Sequence, residues 1–300
     1  GGGMSEEKRS PGLGVGLMLV CAVLWSTAGL FIKSVPWNSM VLAGWRGLAA
    51  TLTLWLFMRK MHYRVRIDMR TVLIGLCVSG TSILFLIANR LTTAANAIVL
   101  QYTSPVFLVV LSMLIFRRRY RAADYVTVII TVCGIALFFF DQLTPGGMLG
   151  NILALIDGVT MGGVYLFTGE SDEERRLSGI FLGLAITTAV GIPFTVAYPP
   201  EVTVTSVLAV IAMGVLQLGL PYALYSIAVK HCPTLACTLI ASLEIILSPV
   251  WVWIFLGEMP GMFAILGSVV VVATITVWCC LGGAKERPHQ APPKPGAEAR

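Results

Sequence analysis

The chain has 300 residues, of which 57% are apolar and only 12% charged, with a formal net charge of +6. Soluble domains carry about 25% charged residues, so a water-soluble globule is excluded. With a mean hydropathy of +0.85, the solvent for most of this chain is lipid, and its length is counted in spans of about 20 apolar residues each.

In chain order, Gly1–Gly3 ahead of Met4 read as a tag scar, and residues 1–12 as that scar with a short cytoplasmic segment. Ten apolar runs follow, near 13–34, 38–58, 71–89, 92–116, 122–140, 148–169, 177–198, 204–228, 233–257 and 260–282. Each is apolar all round, with Gly, Ala, Ser and Thr scattered along it where helices can pack closely in lipid. Open sheet edges cannot lie in hydrocarbon, so the expected fold is an all-α polytopic membrane protein of ten transmembrane helices. The ESDEERR stretch at 170–176 reads as a solvated mixed-charge turn. The Pro-, Ala- and Lys-rich tail, 283–300, reads as disordered. The seven cysteines lie in or beside apolar runs and read as small buried residues.

The placement of Lys and Arg sets an orientation. With the N-terminus in the cytoplasm, 18 of the 21 fall on cytoplasmic segments, only Lys33 and Arg90 fall outside, and Arg46 lies within a span. That asymmetry predicts an even number of spans with both termini cytoplasmic. It also assigns the basic runs to anionic lipid, with no nucleic acid as partner.

The chain repeats internally. LTTAANAIVLQYTSPVFLVVLSMLIFRRR (91–119) matches HCPTLACTLIASLEIILSPVWVWIFLGEM (231–259) at an offset of 140, each following a span that ends in a base, Arg90 or Lys230. VLWSTAGLFIKS (23–34) matches VTMGGVYLFTGES (159–171) at an offset of 136. The halves are 13–141 and 148–282, five spans each. Five is odd, so the second half enters from the opposite face: two inverted five-helix repeats, with a substrate site expected near the midplane between them.

The same stretches carry a family likeness. AVLWSTAGLFIKS, the arginine of WRGLAATL, ANRLTTAANAIVLQYTSPVFLVVLSMLIF and SLEIILSPVWVWIFLGEMPGMFAILGSVVVV together resemble the drug/metabolite transporter superfamily, in its ten-span branch with two EamA domains. Glu244 and Gly257–Glu258 sit at the spacing of that family's second-half motif. Two positions depart from it. Ile245 stands where the family has proline, the proline having moved to Pro249, and the first half ends FRRRYR where Gly-Glu is common. The resemblance implies a carrier, most often an exporter, of small metabolites.

Three ionisable residues fall well inside spans, where a charge costs about 2.5–3.5 kcal/mol: Asp157 and Glu244 near the midplane, and Arg46 in the second span. Both carboxylates are candidate substrate-binding groups. Arg46 is expected to pair with one of them or to lie at the cavity mouth. Trp25, Tyr102, Tyr165 and Tyr222 lie at similar depth. Their faces can hold an ammonium group, and Trp25 also matches the family's first-span tryptophan. Asn96, Gln101 and Gln217 add neutral hydrogen-bonding groups. Pro105, Pro221 and Pro249 mark expected kinks. No P-loop, G-x-S-x-G or H-E-x-x-H occurs, so no enzyme activity, cofactor or metal is expected, and a secondary carrier is favoured over an ATP-driven pump.

The expected function is alternating-access transport, as an exporter, of small cationic or zwitterionic metabolites, amino acids or amines. One carboxylate would bind the substrate amine or a counter-transported proton. A carrier of anionic metabolites centred on Arg46 and a non-transporting scaffold or receptor are the alternatives. The expected location is a bacterial inner membrane.

Overall fold

The computed structural model describes residues 10–28, 31–32, 35–92, 94–142, 148–256, 261–278 and 280–281. Lys33, Cys279, Gly257–Glu258, the first nine residues and the tail from 282 lie outside them, as does the side chain of Asn96.

Ten helical rods follow in order: α1 (Pro11–Ser26), α2 (Ser39–Lys60), α3 (Met69–Leu91), α4 in two pieces (Ala94–Gln101 and Ser104–Phe116), α5 (Ala122–Gln142), α6 (Met148–Gly169), α7 (Glu173–Gly191, with a turn at Phe194–Ala197), α8 (Val204–His231), α9 in two pieces (Thr234–Ala241 and Leu243–Leu256) and α10 (Met262–Trp278). Six of these rods are long and apolar enough to cross a bilayer over the described residues, and the apolar parts of the other four are shorter there. Leu114, Ile129, Leu208 and Val269 turn outward, each more than 60% exposed. These are lipid-facing positions, because a helix apolar on every face needs an apolar medium outside as well as inside.

The helix starts are written locally. Pro11 opens α1 without losing a needed N–H. Asn38 caps α2, and Asp68 and Thr203 form capping boxes with Thr71 and Ser206 ahead of α3 and α8. Asp172 caps α7 by accepting from Arg175 N–H. The last cap corrects the reading of ESDEERR as a free turn: Glu173 to Arg176 form the first turn of α7, with the acids where the helix dipole favours them. The cysteines divide too: Cys21, Cys232 and Cys237 are buried, whereas Cys133 and Cys280 are exposed.

The helix pairings obey one exchange rule. α3 packs on α6 and α7, and α8 packs on α1 and α2. α4 packs on α6, and α9 on α1; α2 meets α7, and α5 meets α10. Swapping each helix of the first five for its counterpart in the second five maps every one of these pairs onto another pair or onto itself. A residue-level contact repeats likewise. Gly14 of α1 faces His231 and Cys232, and Gly150 of α6 faces Leu91 and Thr92. The sequence offsets of 136 and 140 carry one contact onto the other. Where α2 crosses α7 the backbones nearly touch, since a Cβ on Gly44 would lie 2.5 Å from Ile192 N.

One end of the bundle gathers the basic loops, and they do not simply face lipid. Arg66 pairs with Glu174 (2.7 Å), Arg118 with Glu170 (2.5 Å), Arg175 with Asp68 and Asp172, and Lys230 with Glu173. The acid-rich turn into α7, from Glu170 to Glu174, is thus the common acceptor for bases from three other segments. Exposed pairs of this kind contribute little singly.

Asp68 gives this network a pH signature. Thr71 N–H and then the Arg175 guanidinium hold its carboxyl below the usual carboxylate range. A carboxyl lowered by folding contributes stability above its unfolded pKa, and that contribution is lost as pH falls through the folded value. Apparent melting temperature should therefore be level near neutrality and fall below about pH 4. Asp68→Asn should lower the neutral plateau and shallow the acid fall. An acid limb identical in the two proteins would contradict this.

Candidate functional site

Two interruptions build the site. In α4 the ladder tightens to three-residue steps, Thr103 N–H to Leu100 O and Val106 N–H to Thr103 O, just ahead of Pro105. In α9 the same tightening occurs at Ser242, with Ser242 N–H to Leu239 O and Ile245 N–H to Ser242 O. Ser242 Oγ also donates to Leu239 O (2.5 Å), a local bond that competes with the helix. The interruption therefore precedes Pro249 by seven residues, and Leu243–Leu256 runs through that proline unbroken. α8 departs from regularity as well: Met213–Gly219 is π-helical, immediately before Pro221. Short non-α segments of this kind recur at functional sites.

Between the halves lies a cavity lined by Trp25, Arg46, Thr81, Ser82, Phe85, Gln101, Tyr102, Met161, Gln217, Leu218, Tyr222 and Glu244. Glu244 sits in the first turn of the second piece of α9, where the helix N-terminus favours a carboxylate. Tyr102, at the interruption of α4, donates its hydroxyl to the Glu244 carboxylate. The two interruptions, one from each repeat, are thus joined across the site. Trp25 meets Tyr222 edge to face at 6.1 Å.

Arg46 is 2% exposed and pairs with neither carboxylate. Its Nη2 donates to Ser82 O (3.3 Å) and its Nη1 to Gln217 Oε1 (3.4 Å). The π-helical segment thus supplies, through Gln217, one of the two acceptors that hold the guanidinium.

Asp157 lies off the cavity wall. It is fully buried behind Thr81, whose hydroxyl donates to it; Thr160 Oγ1 donates to it at 3.4 Å. Gln101 donates to Thr81 Oγ1 (3.4 Å), so Thr81 and Gln101 stand between the cavity and Asp157. Tyr165 is also off the wall. It packs edge to face on Tyr225, 5.5 Å between ring centres, in the half of the bundle toward the basic end. Tyr225 hydrogen-bonds Thr168 at 2.5 Å. Below them Arg176, 5% exposed, donates Nε to Thr168 O (3.0 Å), Nη1 to Ser226 O (2.7 Å) and Nη2 to Ser171 O (2.9 Å). This aromatic and guanidinium layer fills the bundle between the cavity and the basic end.

Of the residues expected from sequence, Trp25, Arg46, Gln101, Tyr102, Gln217, Tyr222 and Glu244 come together around one cavity, and Asp157 and Tyr165 do not join them. Thr81, Ser82, Phe85, Met161 and Leu218 line it without having been singled out. Among the described residues no cluster of His, Cys, Asp or Glu could hold a metal ion.

Ten membrane helices in two exchangeable halves, with interrupted helices meeting at a polar cavity midway, define an integral membrane protein built as a repeat transporter. The profile of the EamA-like transporter family matches residues 12–140 and again 148–278. The chain belongs to that family, as a two-EamA member of the drug/metabolite transporter superfamily. Among its relatives, the threonine/homoserine exporter RhtA of Salmonella typhimurium (strain SL1344) is 28% identical over 230 residues, covering 74% of this chain and 76% of that protein. RhtA of Escherichia coli (strain K12) is 27% identical, covering 76% and 79%. An uncharacterized transporter of Archaeoglobus fulgidus is 23% identical, covering 88% and 95%. A solved crystal structure superposes with a TM-score of 0.76 at 17% identity, over 93% of this chain and 100% of that one, which shows the shared fold.

Proposed function

We propose that this protein is a secondary transporter that exports small cationic or zwitterionic metabolites, amino acids or amines, by alternating access around the cavity. The observation that carries the reading is Glu244. A carboxylate in the middle of the bundle is costly, yet here it lines a cavity, and among the described residues no base pairs with it. A substrate ammonium supplies the missing charge, and the faces of Trp25 and Tyr222 suit the same group. The relatives named as threonine/homoserine exporters support an amino-acid substrate.

The Lys and Arg asymmetry supports a cytoplasmic position for the basic end and both termini, in a bacterial inner membrane. The cavity then lies from the midplane outward, with the Tyr165, Tyr225 and Arg176 layer closing its cytoplasmic side. Rocking of the two halves would open that layer and close the other side. Glu244 would exchange the substrate ammonium for a proton on the way back.

A thermal-shift screen of the purified protein tests the substrate class, because a ligand of the native state raises apparent stability by mass action. L-Threonine and L-homoserine should stabilise it, and purines and organic anions should not. Stabilisation by organic anions alone would overturn the reading in favour of an anion carrier centred on Arg46.

A further inference from the structure

Two polar atoms in the cavity wall have no hydrogen-bond partner within the protein: Nε of Arg46 and Oγ of Ser82. Both residues are buried, 2% and 4% exposed. Leaving such groups unpaired is costly, and for Ser82 the protein had an easy alternative. Hydroxyls within helices commonly turn back to the carbonyl one turn earlier. Thr51, Thr53, Thr187 and Thr188 all do so, at 2.7–2.9 Å. Ser82 does not.

The guanidinium of Arg46 is fixed from two sides, by Ser82 O on α3 and Gln217 Oε1 on the π-helical part of α8. Those bonds orient it and use its Nη atoms, leaving the Nε–H unengaged. No carboxylate of the protein pairs with it among the described residues. Asp157 is bonded through Oδ1 to Thr81 and Thr160, with Oδ2 unpartnered off the cavity wall, and Glu244 is bonded to Tyr102. The result is a pre-oriented cation with an unpartnered Nε–H, beside an unpartnered hydroxyl, lining the same cavity as an uncompensated carboxylate. A planar guanidinium fork matches a carboxylate better than any other common side-chain group.

We infer that Arg46 Nε and Ser82 Oγ form a carboxylate subsite, so that the cavity holds an α-amino acid by both poles, its carboxylate at Arg46 and its ammonium at Glu244. This rests on the reading of Glu244 given above. It adds that the substrate must carry a free carboxylate, and that an amine lacking one is a poor ligand. It also explains why a base and an acid line one cavity without pairing: each is complemented by the ligand.

Binding to the purified full-length protein tests this with three probes. They are L-threonine, L-threoninamide (no carboxylate) and 3-hydroxybutyrate (no amine). The wild type should bind L-threonine about tenfold or more tightly than L-threoninamide. Arg46→Gln and Ser82→Ala should each shrink that preference by weakening L-threonine, to about twofold for Arg46→Gln. Arg46→Lys, which keeps the charge without the fork, should fall between wild type and Arg46→Gln. Ser82→Ala carries the test on its own should Arg46→Gln fail to fold. Equal binding of L-threonine and L-threoninamide by the wild type overturns the subsite and leaves the ammonium site standing. Retention of the full preference in Ser82→Ala and the Arg46 variants also overturns it. Binding of 3-hydroxybutyrate as tight as that of L-threonine, abolished in Arg46→Gln, supports the subsite and overturns the Glu244 reading. No binding of any of the three overturns both.

Discussion

Glu244→Gln is expected to weaken L-threonine binding about 100-fold while leaving the unliganded protein at least as stable as the wild type. A charge-assisted hydrogen bond is worth about 1.5–3 kcal/mol net, and the upper figure, at about 1.4 kcal/mol per decade, gives that factor. The upper end applies because the group is 8% exposed, where water screens little. The amide oxygen still accepts from Tyr102, so the bond that joins the two interrupted helices survives. Removing a charge from the middle of the bundle also removes its desolvation cost. Isothermal titration and a melt of the same sample read both quantities. Asp157→Asn is the internal comparison, because that carboxylate lies behind Thr81 and off the wall. Its effect on binding should be several-fold smaller. Equal losses in the two variants, or none in Glu244→Gln, would contradict the assignment of the ammonium site.

Arg176→Met is expected to cost about 3–5 kcal/mol of stability and to open the basic end of the bundle. The guanidinium ties three backbone carbonyls, Thr168 and Ser171 at the end of α6 and Ser226 on α8. Methionine fills much of the volume but removes three charge-assisted bonds, each worth about 1.5–3 kcal/mol net, although Thr168 O still accepts from Ser171 N–H. Part is recovered by relaxation, so the sum falls short of three full penalties. Cys237 reports the opening, since it is wholly buried. Its alkylation by a small thiol reagent, read by mass spectrometry, should accelerate about tenfold or more in the variant. Unchanged labelling together with an unchanged melting temperature would show that the layer does not depend on Arg176.

Arg176 also marks where sequence reading stops. Its neighbour Arg175 is a surface residue paired with Asp68 and Asp172. Adjacent helical residues point about 100° apart, so one arginine of the pair faces water and the next faces the core. Within ESDEERR nothing but the cap at Asp172, which sets where the helix begins, decides which is which. The spans and the repeat were legible because apolar runs and fixed offsets are properties of the chain itself. Position along a span was legible for the same reason, by counting residues. Azimuth was not. α6 and α9 are apolar on every side, so no polar stripe says that Glu244 faces the cavity while Asp157 faces Thr81. Thr81, Ser82, Phe85, Met161 and Leu218 were invisible as wall residues because such residues occur throughout all the spans. The interruption of α4 sits beside its proline, but that of α9 sits at Ser242, where a hydroxyl bond and not Pro249 tightens the ladder.

Counterflow in proteoliposomes is the direct measurement. Vesicles carrying the purified protein would be preloaded with unlabelled L-threonine and diluted into a trace of labelled L-threonine. Transient accumulation of label, quickened by an inward-acid pH gradient or by its reverse and lost in Glu244→Gln, is the predicted result. Accumulation of a labelled organic anion instead, with L-threonine neither moving nor competing and Glu244→Gln fully active, would contradict it.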